Sequence, residues 1–414
     1  MVASLDPELF VGVDWASEEH AVSVVDPAGH RVASFAVRHS REGFERLVAR
    51  LRALGPPGQV PVGIERRDGR LVDCLLEAGH PVVPVSTSAI RAWRDAEVVS
   101  GAKTDAGDAE VIAEYLRLRQ HRLTVLRPFS EETKALRAAV RAGDDLVAQR
   151  VATGNQLEAC LEAFWPGAKA IFAEVTSEIT LAFLERYPTL GAARTLGEKR
   201  MQAFLTKHGY CGRRPATELL GRLRKAPAGI SDGPEAEARR DAVLGYVRVV
   251  RALNAAIKDL TRAVVAHLGE HPDSAIFTSL PRSGQVNAAQ MLAEWGDCRE
   301  AYDGPEAVAA LAGGAPVTKR SGKHEAVHFR WACSKRFRNA ICTFADNSRH
   351  ASAWAAAVYQ RAIDRGCDHP HAVRVLARAW IRVIWRCWVE RIPYDPARHG
   401  SARRLDGIEP QEAA

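Results

Sequence analysis

Eight cysteines occur in the 414-residue chain (Cys74, Cys160, Cys211, Cys298, Cys333, Cys342, Cys367 and Cys387), and no two of them form a C-x-x-C pair. The scatter excludes the usual zinc-site spacings and a compact disulfide framework, so reduced and mostly structural thiols are expected. Also absent is any apolar run of about 18 residues, the length a membrane span needs. The start, Met-Val-Ala-Ser-Leu-Asp-Pro, lacks a charged segment followed by an apolar one, so no signal peptide is expected. These absences point to a soluble, cytoplasmic protein. Lysine is scarce, at ten of the 57 basic residues. Arginine's planar fork suits bidentate phosphate contact, although a GC-rich coding sequence produces the same bias. The balance is basic, with net charge +7 and an isoelectric point near 9.1, which favours a polyanionic partner and says nothing about fold.

The pattern of apolar residues divides the chain. Phe10 to Val13, His20 to Val25 and Arg31 to Val37 read as three strands separated by turns. Ser40 is placed to cap a helix over 41–54, with Phe44, Leu47, Val48 and Leu51 on one face. Val60 to Glu65 reads as a buried strand, 70–78 as a short helix, Pro81 to Val85 as another strand, and Asp105 to Leu118 as a helix. An α/β domain with a mixed sheet is expected over 1–128. Residues 129–270 read as a coiled-coil stalk. Its first helix is 130–164, and its second, 236–268, repeats Val243, Val250, Ile257 and Val264 every seven residues, with Tyr246, Leu253, Leu260 and His267 interleaved. That repeat suits a two-stranded coiled coil and equally an amphipathic helix packed on its own core. Between them, 190–225 holds nine Lys or Arg, Arg213 and Arg214 included, against Glu198 and Glu218. Residues 271–392 read as a mainly α domain with glycine-rich loops, and 393–414 as a polar, disordered tail.

Four acids carry the candidate chemistry. Asp14 interrupts an otherwise apolar strand, where an unpaired carboxylate is costly. Glu65 ends Val60-Pro61-Val62-Gly63-Ile64 in the same way. Asp105 and Asp108, three apart, share one face at the start of a helix. Converging carboxylates of this kind suit Mg²⁺, with Mn²⁺ as a substitute, and a metal so held serves phosphoryl transfer. The plainer alternatives are that Asp105 caps the helix, that Asp108 complements its dipole, or that Asp68 replaces Glu65.

The order strand-Asp, strand-Glu, then Lys103-Thr104-Asp105-Ala106-Gly107-Asp108-Ala109 resembles the DEDD transposases of the insertion-sequence family numbered one hundred and ten. The matching segments begin at Gly12-Val13-Asp14-Trp15-Ala16-Ser17 and Gly63-Ile64-Glu65 and extend over most of the chain. The resemblance implies an RNase H-like, RuvC-like first domain, then a stalk, then a C-terminal transposase domain with a nucleophilic serine. On Gly313-Gly314-Ala315-Pro316-Val317-Thr318-Lys319-Arg320-Ser321-Gly322-Lys323 that serine is Ser321. Read without the resemblance, Ser321-Gly322 is equally a turn in a phosphate-contacting loop.

Basic residues surround this motif. From 317 to 338 stand Lys319, Arg320, Lys323, Arg330, Lys335, Arg336 and Arg338 against Glu325 alone. Leu280-Pro281-Arg282-Ser283-Gly284 is similar to the family's L-P-G-x-G turn, with Arg282 in place of glycine, which makes Arg282 and Ser283 candidate backbone contacts to nucleic acid. Arg374, Arg378, Arg382 and Arg386 recur every four residues and make either a phosphate-neutralising ridge or a solvated face. The tryptophans between them read as core.

The expected function is a DNA transposase or recombinase in which Ser321 attacks a phosphodiester at a Mg²⁺-bearing DEDD site. The resemblance further implies DNA ends and target as substrates, a structured bridge RNA as guide, a homo-oligomer (dimer or tetramer) and a bacterial, nucleoid-associated location. The alternatives are a RuvC-like nuclease or Holliday-junction resolvase that uses activated water, or an inactive nucleic-acid-binding derivative.

Overall fold

The computed structural model describes residues 7–97, 104–321 and 324–399. The chain divides into two compact units. One is the chain up to Phe129 together with Cys298–Asp303, and the other is Ser130–Asp297 with Gly304 onward.

The first unit is built on a five-stranded mixed sheet. β1 (Phe10–Asp14), β2 (Glu19–Val25) and β3 (Arg31–Arg38) form an antiparallel meander. α1 (Arg41–Leu54) follows, capped as expected by Ser40, whose hydroxyl accepts from the Gly43 amide at 3.1 Å. β4 (Val62–Ile64), α2 (Arg70–Glu77), β5 (Val82–Pro84), α3 (Thr87–Glu97) and α4 (Asp105–Arg119) complete the unit. β4 runs parallel to β1, and β5 parallel to β4, giving the order β3-β2-β1-β4-β5. This arrangement is consistent with the RNase H-like expectation. Phe10, Val11 and Val13 of central β1 are fully or almost fully buried, because helices cover both faces of a parallel pair.

The second unit is helical apart from one hairpin. α5 (Glu131–Phe164) leads into short α6 (Pro166–Ile171), α7 (Glu178–Arg186), α8 (Leu190–Ala193), α9 (Glu198–Lys207) and α10 (Ala216–Lys225), and α11 (Pro234–Glu270) runs back along α5. The pairing is antiparallel. Leu157, Leu161 and Phe164 share a core with Val243, Val247 and Val250, whereas Thr133 at the other end bonds His271 at 2.8 Å. The heptads of 236–268 are thus met, within this chain, by its own α5. Between Val140 and Gly154, and between Val250 and Val264, neither helix buries a residue.

Beyond them lie α12 (Ser274–Thr278), α13 (Gly284–Trp295), α14 (Pro305–Leu311), β6 (Val317–Ser321), β7 (His324–His328), α15 (Lys335–Ser348), α16 (Ala353–Asp364), α17 (His369–Glu390) and α18 (Pro396–His399). Almost completely buried Glu294 ties α5, α13 and α15 together. It takes Arg141 at 2.9 Å and the Ser334 hydroxyl at 3.1 Å. Burial pushes its pKa up, but the Arg141 hydrogen bond and the charges of Arg137 and Arg141 outweigh that and hold it below the usual range.

Two expectations need correction. A β-hairpin stands within the segment read as helices and loops. The tail read as disordered from 393 is instead packed as far as His399, since Tyr394 is buried against Trp380 with ring centroids 5.3 Å apart. Residues 400–414 lie outside the described residues. All eight cysteines are free thiols. Among the described residues no helix is long and apolar enough to cross a membrane.

Candidate active site

Two loops leave the sheet side by side at the carboxyl ends of β1 and β4. Val13 pairs with Ile64, so Asp14 and Glu65 stand at the next position on neighbouring strands. This is where α/β sheets place their ligands. α4 crosses β1 at Gly12. A Cβ on Gly12 would sit 2.0 Å from the Ala109 carbonyl and 2.4 Å from the Ala113 amide, so only glycine allows this approach. At Gly63 on β4 a Cβ would meet the Ile112 methyl at 3.0 Å. The helix residue nearest Gly12 thus directly follows Asp108, and the close crossing brings the first turn of α4 to the strand end that carries Asp14. Thr104 caps that turn, accepting from Gly107 at 3.1 Å. Gly107 has a local reason as well, because a Cβ there would crowd the capping hydroxyl at 3.0 Å.

The side chains are less converged than the backbone. Arg94 of α3 donates to Asp108 at 2.8 Å, and the Asp108 side chain is only 15% exposed. Among the described residues, no three His, Cys, Asp or Glu side chains are gathered closely enough to hold a metal together. Carboxylate oxygens are the donors a hard cation prefers. Arg94 occupies one Asp108 oxygen, so a cation would compete with it or take the other oxygen. Asp68, the alternative to Glu65, lies in the exposed loop before α2, 3.9 Å from Arg66.

A cluster that sequence reading did not isolate lies beside these acids. Arg66 stacks over Trp15 at 4.1 Å, and Trp15 adjoins His20 and His39. Trp15, His39, Arg66 and Arg70 border a cavity of about 190 Å³. Fully buried His20 receives the Ala16 amide on Nδ1 at 3.2 Å and meets His39 through Nε2 at 2.9 Å. An Nδ1 that accepts requires a neutral ring. Burial, then the nearby charge of His39, lowers the His20 pKa to about 4. The apolar spacing of β2 shows His20 facing inward, but its partner just after β3, His39, was not legible.

In the second unit, β6 and β7 pair from Val317↔His328 to Ser321↔His324, which puts Ser321 at the tip of the hairpin. Gly322 and Lys323 lie outside the described residues. Lys319, Arg320 and Lys335 are exposed. Arg330 donates to the Ala315 carbonyl at 2.9 Å and anchors the base of the hairpin. Arg338 bonds the Arg330 carbonyl and lies over Phe329 at 4.3 Å, with Arg374 over the same ring at 4.9 Å. Arg336 pairs with Asp145 at 2.6 Å.

The arginines recurring every four residues do not form a uniform ridge. Arg378 and Arg382 both clasp Glu306 at 2.7 Å, and Arg386 pairs with Glu390 at 2.9 Å. Burial raises the Glu306 pKa, but hydrogen bonds from Arg382 and Arg378 outweigh that and lower it. Trp380 and Trp388 are fully buried, as read. Arg213 is exposed, and Arg214 pairs with Glu218 at 3.0 Å. Ser283 is 4% exposed, which withdraws its hydroxyl from a phosphate and corrects its reading as a backbone contact. Arg282 holds φ +57°, the left-handed backbone that glycine usually supplies.

Comparison with known proteins matches two segments of the chain to transposase families. Residues 11–166 match the DEDD transposase model of the IS110 group, and residues 274–360 match the transposase family IS116/IS110/IS902. The putative mini-circle transposase for IS117 of Streptomyces coelicolor is 31% identical over 399 residues, covering 94% of this chain and 96% of that protein. The uncharacterized 42 kDa protein of insertion element IS900 of Mycobacterium paratuberculosis is 27% identical over 94% of this chain and 98% of its own length. The 43.6 kDa protein of IS110, also from Streptomyces coelicolor, is 27% identical over 92% and 94%. With the acids on the central strands and the first turn of α4, and with likeness running nearly from end to end, the chain belongs to the IS116/IS110/IS902 family of transposases.

Proposed function

We propose that the protein is a DNA transposase or recombinase that cuts and exchanges strands through Ser321, with a Mg²⁺-bearing carboxylate site at Asp14, Glu65, Asp105 and Asp108. The observation that carries this is the glycine-only crossing at Gly12, which brings the Asp105–Asp108 turn to the end of β1. When bound, the cation would neutralise charge on the attacked phosphate and orient nucleophile and leaving group.

The residues of the chain have separable roles. Asp14 ends β1 and Glu65 directly follows β4, whereas Asp108 has Arg94 on one of its oxygens. Lys319 and Arg320 precede Ser321 on β6 and supply a positive field for the scissile phosphate. The serine oxygen forms a new bond to phosphorus as the strand's own P–O bond breaks. A phosphoserine link and a free hydroxyl result, and the serine proton ends on solvent or on the leaving oxygen. The half-covered middle of the α5–α11 pair, with Val147 and Val151 exposed, supports self-association. The exposed basic residues of 190–225 support binding of a guide RNA.

Asp14→Asn is expected to abolish Mg²⁺-dependent strand cleavage while nucleic-acid binding persists. Ser321→Ala is expected to lose the covalent protein–DNA adduct. Cleavage retained without an adduct would assign attack to water, and wild type without any Mg²⁺-dependent reaction would leave only a nucleic-acid binder. Sequencing of co-purified RNA tests the guide.

A further inference from the structure

Trp331 is 78% exposed, more than any other large apolar side chain among the described residues. Trp165, Trp295, Trp380 and Trp388 are buried in the cores of the same unit, and tryptophan is rarely left in water without a partner to meet. Next in exposure is Val327 at 67%, four residues earlier on β7.

The indole is held in place from one side. Its ring stands at 79° to Phe329 with centroids 4.9 Å apart. Phe329 is in turn covered by the guanidiniums of Arg338 and Arg374. Arg330, between the two aromatics, is tied to the carbonyls of Ala315 and Pro316. An aromatic plate therefore stands on a braced base, immediately beyond the base of the hairpin whose far tip carries Ser321.

The charge of the segment that carries the plate selects its occupant. Lys319, Arg320 and Lys335 are exposed nearby in sequence, within a stretch of seven Lys or Arg against Glu325. A ligand that brings both a flat apolar ring and a row of negative charges is a nucleic-acid strand. A base inside a duplex has both faces covered, so the matching base is one that is unpaired.

We infer that Trp331 is a stacking platform for an unpaired base of a DNA strand whose phosphates are held by Lys319, Arg320 and Lys335. This deepens the DNA-processing reading above and rests on it.

The test uses the full chain in chelator-containing buffer at fixed salt. The probes are an intact DNA duplex and the same duplex with a short single-stranded gap carrying 2-aminopurine. Wild type is expected to prefer the gapped probe and to quench its fluorescence. W331A is expected to bind the gapped probe roughly 5- to 150-fold more weakly, the range for loss of one stacked base, and the intact duplex as before, with W331F keeping most of the preference. The inference is overturned if W331A binds the gapped probe as tightly as wild type, or weakens on both probes equally. It is also overturned if light scattering shows that W331A dissociates an oligomer, for then a second copy is the occupant. Wild type that stacks the probe but never cleaves with Mg²⁺ would defeat the catalytic reading alone. Wild type that cleaves while W331A binds normally would defeat this inference alone.

Discussion

Gly12→Ala tests the crossing on which the catalytic corner depends. The new Cβ would lie 2.0 Å from the Ala109 oxygen and 2.4 Å from the Ala113 nitrogen, more than 1 Å short of ordinary contact. Both obstacles are backbone, so no rotamer change relieves them and α4 must retreat from β1. Overpacking of this kind costs about 1–3 kcal/mol, and a rigid obstacle puts Gly12 at the upper end. A shift of about 1 Å in the Asp105–Asp108 turn is expected to lower strand cleavage by about 100-fold. Gly63→Ala meets only the Ile112 methyl at 3.0 Å, so its effect should be much smaller. Gly143→Ala meets nothing within 4 Å on helix α5 and should stabilise by about 0.5–1 kcal/mol. Urea unfolding of the three variants, read as midpoints at constant slope, gives the order, and Mg²⁺-dependent cleavage gives the functional loss. If Gly12→Ala unfolds with wild type and cleaves at the wild-type rate, the crossing does not position the acids.

Other perturbations follow from single contacts. His20 stays neutral in the fold down to about pH 4, whereas an unfolded imidazole gains its proton near 6.5. The unfolded chain therefore binds more protons in that window, and stability should fall as pH drops from 6.5 to 4, by up to about 3 kcal/mol. His20→Asn should flatten that slope in denaturation measured across pH, and an unchanged slope would assign it to another group. Arg282→Gly should raise the thermal midpoint by relieving a left-handed backbone, by about 1 kcal/mol; a lower midpoint would mean that the arginine side chain contributes more than the strain costs. Arg94→Gln should lower the Mg²⁺ concentration that raises the melting temperature, because the guanidinium 2.8 Å from Asp108 no longer competes with the cation for its charge; an unchanged requirement would remove Arg94 from that competition.

The sheet was readable because its strands are short apolar runs broken by turn residues, and the Ser40 cap was readable because serine precedes an apolar face. α3 was not, since most of its residues lie on the surface and give no inward stripe. The β6–β7 hairpin was hidden for a related reason, as Thr318, Lys319, Arg320 and Val327 are all exposed and an isolated ribbon needs no buried face. The acids of the candidate site were found from their positions at strand ends and a helix start. Their neighbours were not, because Arg94 reaches Asp108 from 14 residues away, a distance that no periodicity encodes. Arg378 and Arg382 show the same limit. Their spacing reads as one charged face, yet Glu306 lies over 70 residues away in sequence and engages both. The heptads of α11 predict a partner helix without saying which one, and in this chain α5 runs alongside.

The α5–α11 pair also inverts the usual pattern of helix fraying. Both of its ends are sealed into cores, at Phe164 and Val243 on one side and at Leu136 and Leu268 on the other. Its centre, over 141–153 and 251–263, has no fully sheltered residue. Amide hydrogens at mid-helix should therefore exchange with solvent deuterium sooner than those near either end. The long pair thus keeps its apolar contacts at its two ends, while its middle is held by polar ones, such as Arg336 to Asp145 at 2.6 Å and Arg251 to Glu185 at 2.8 Å.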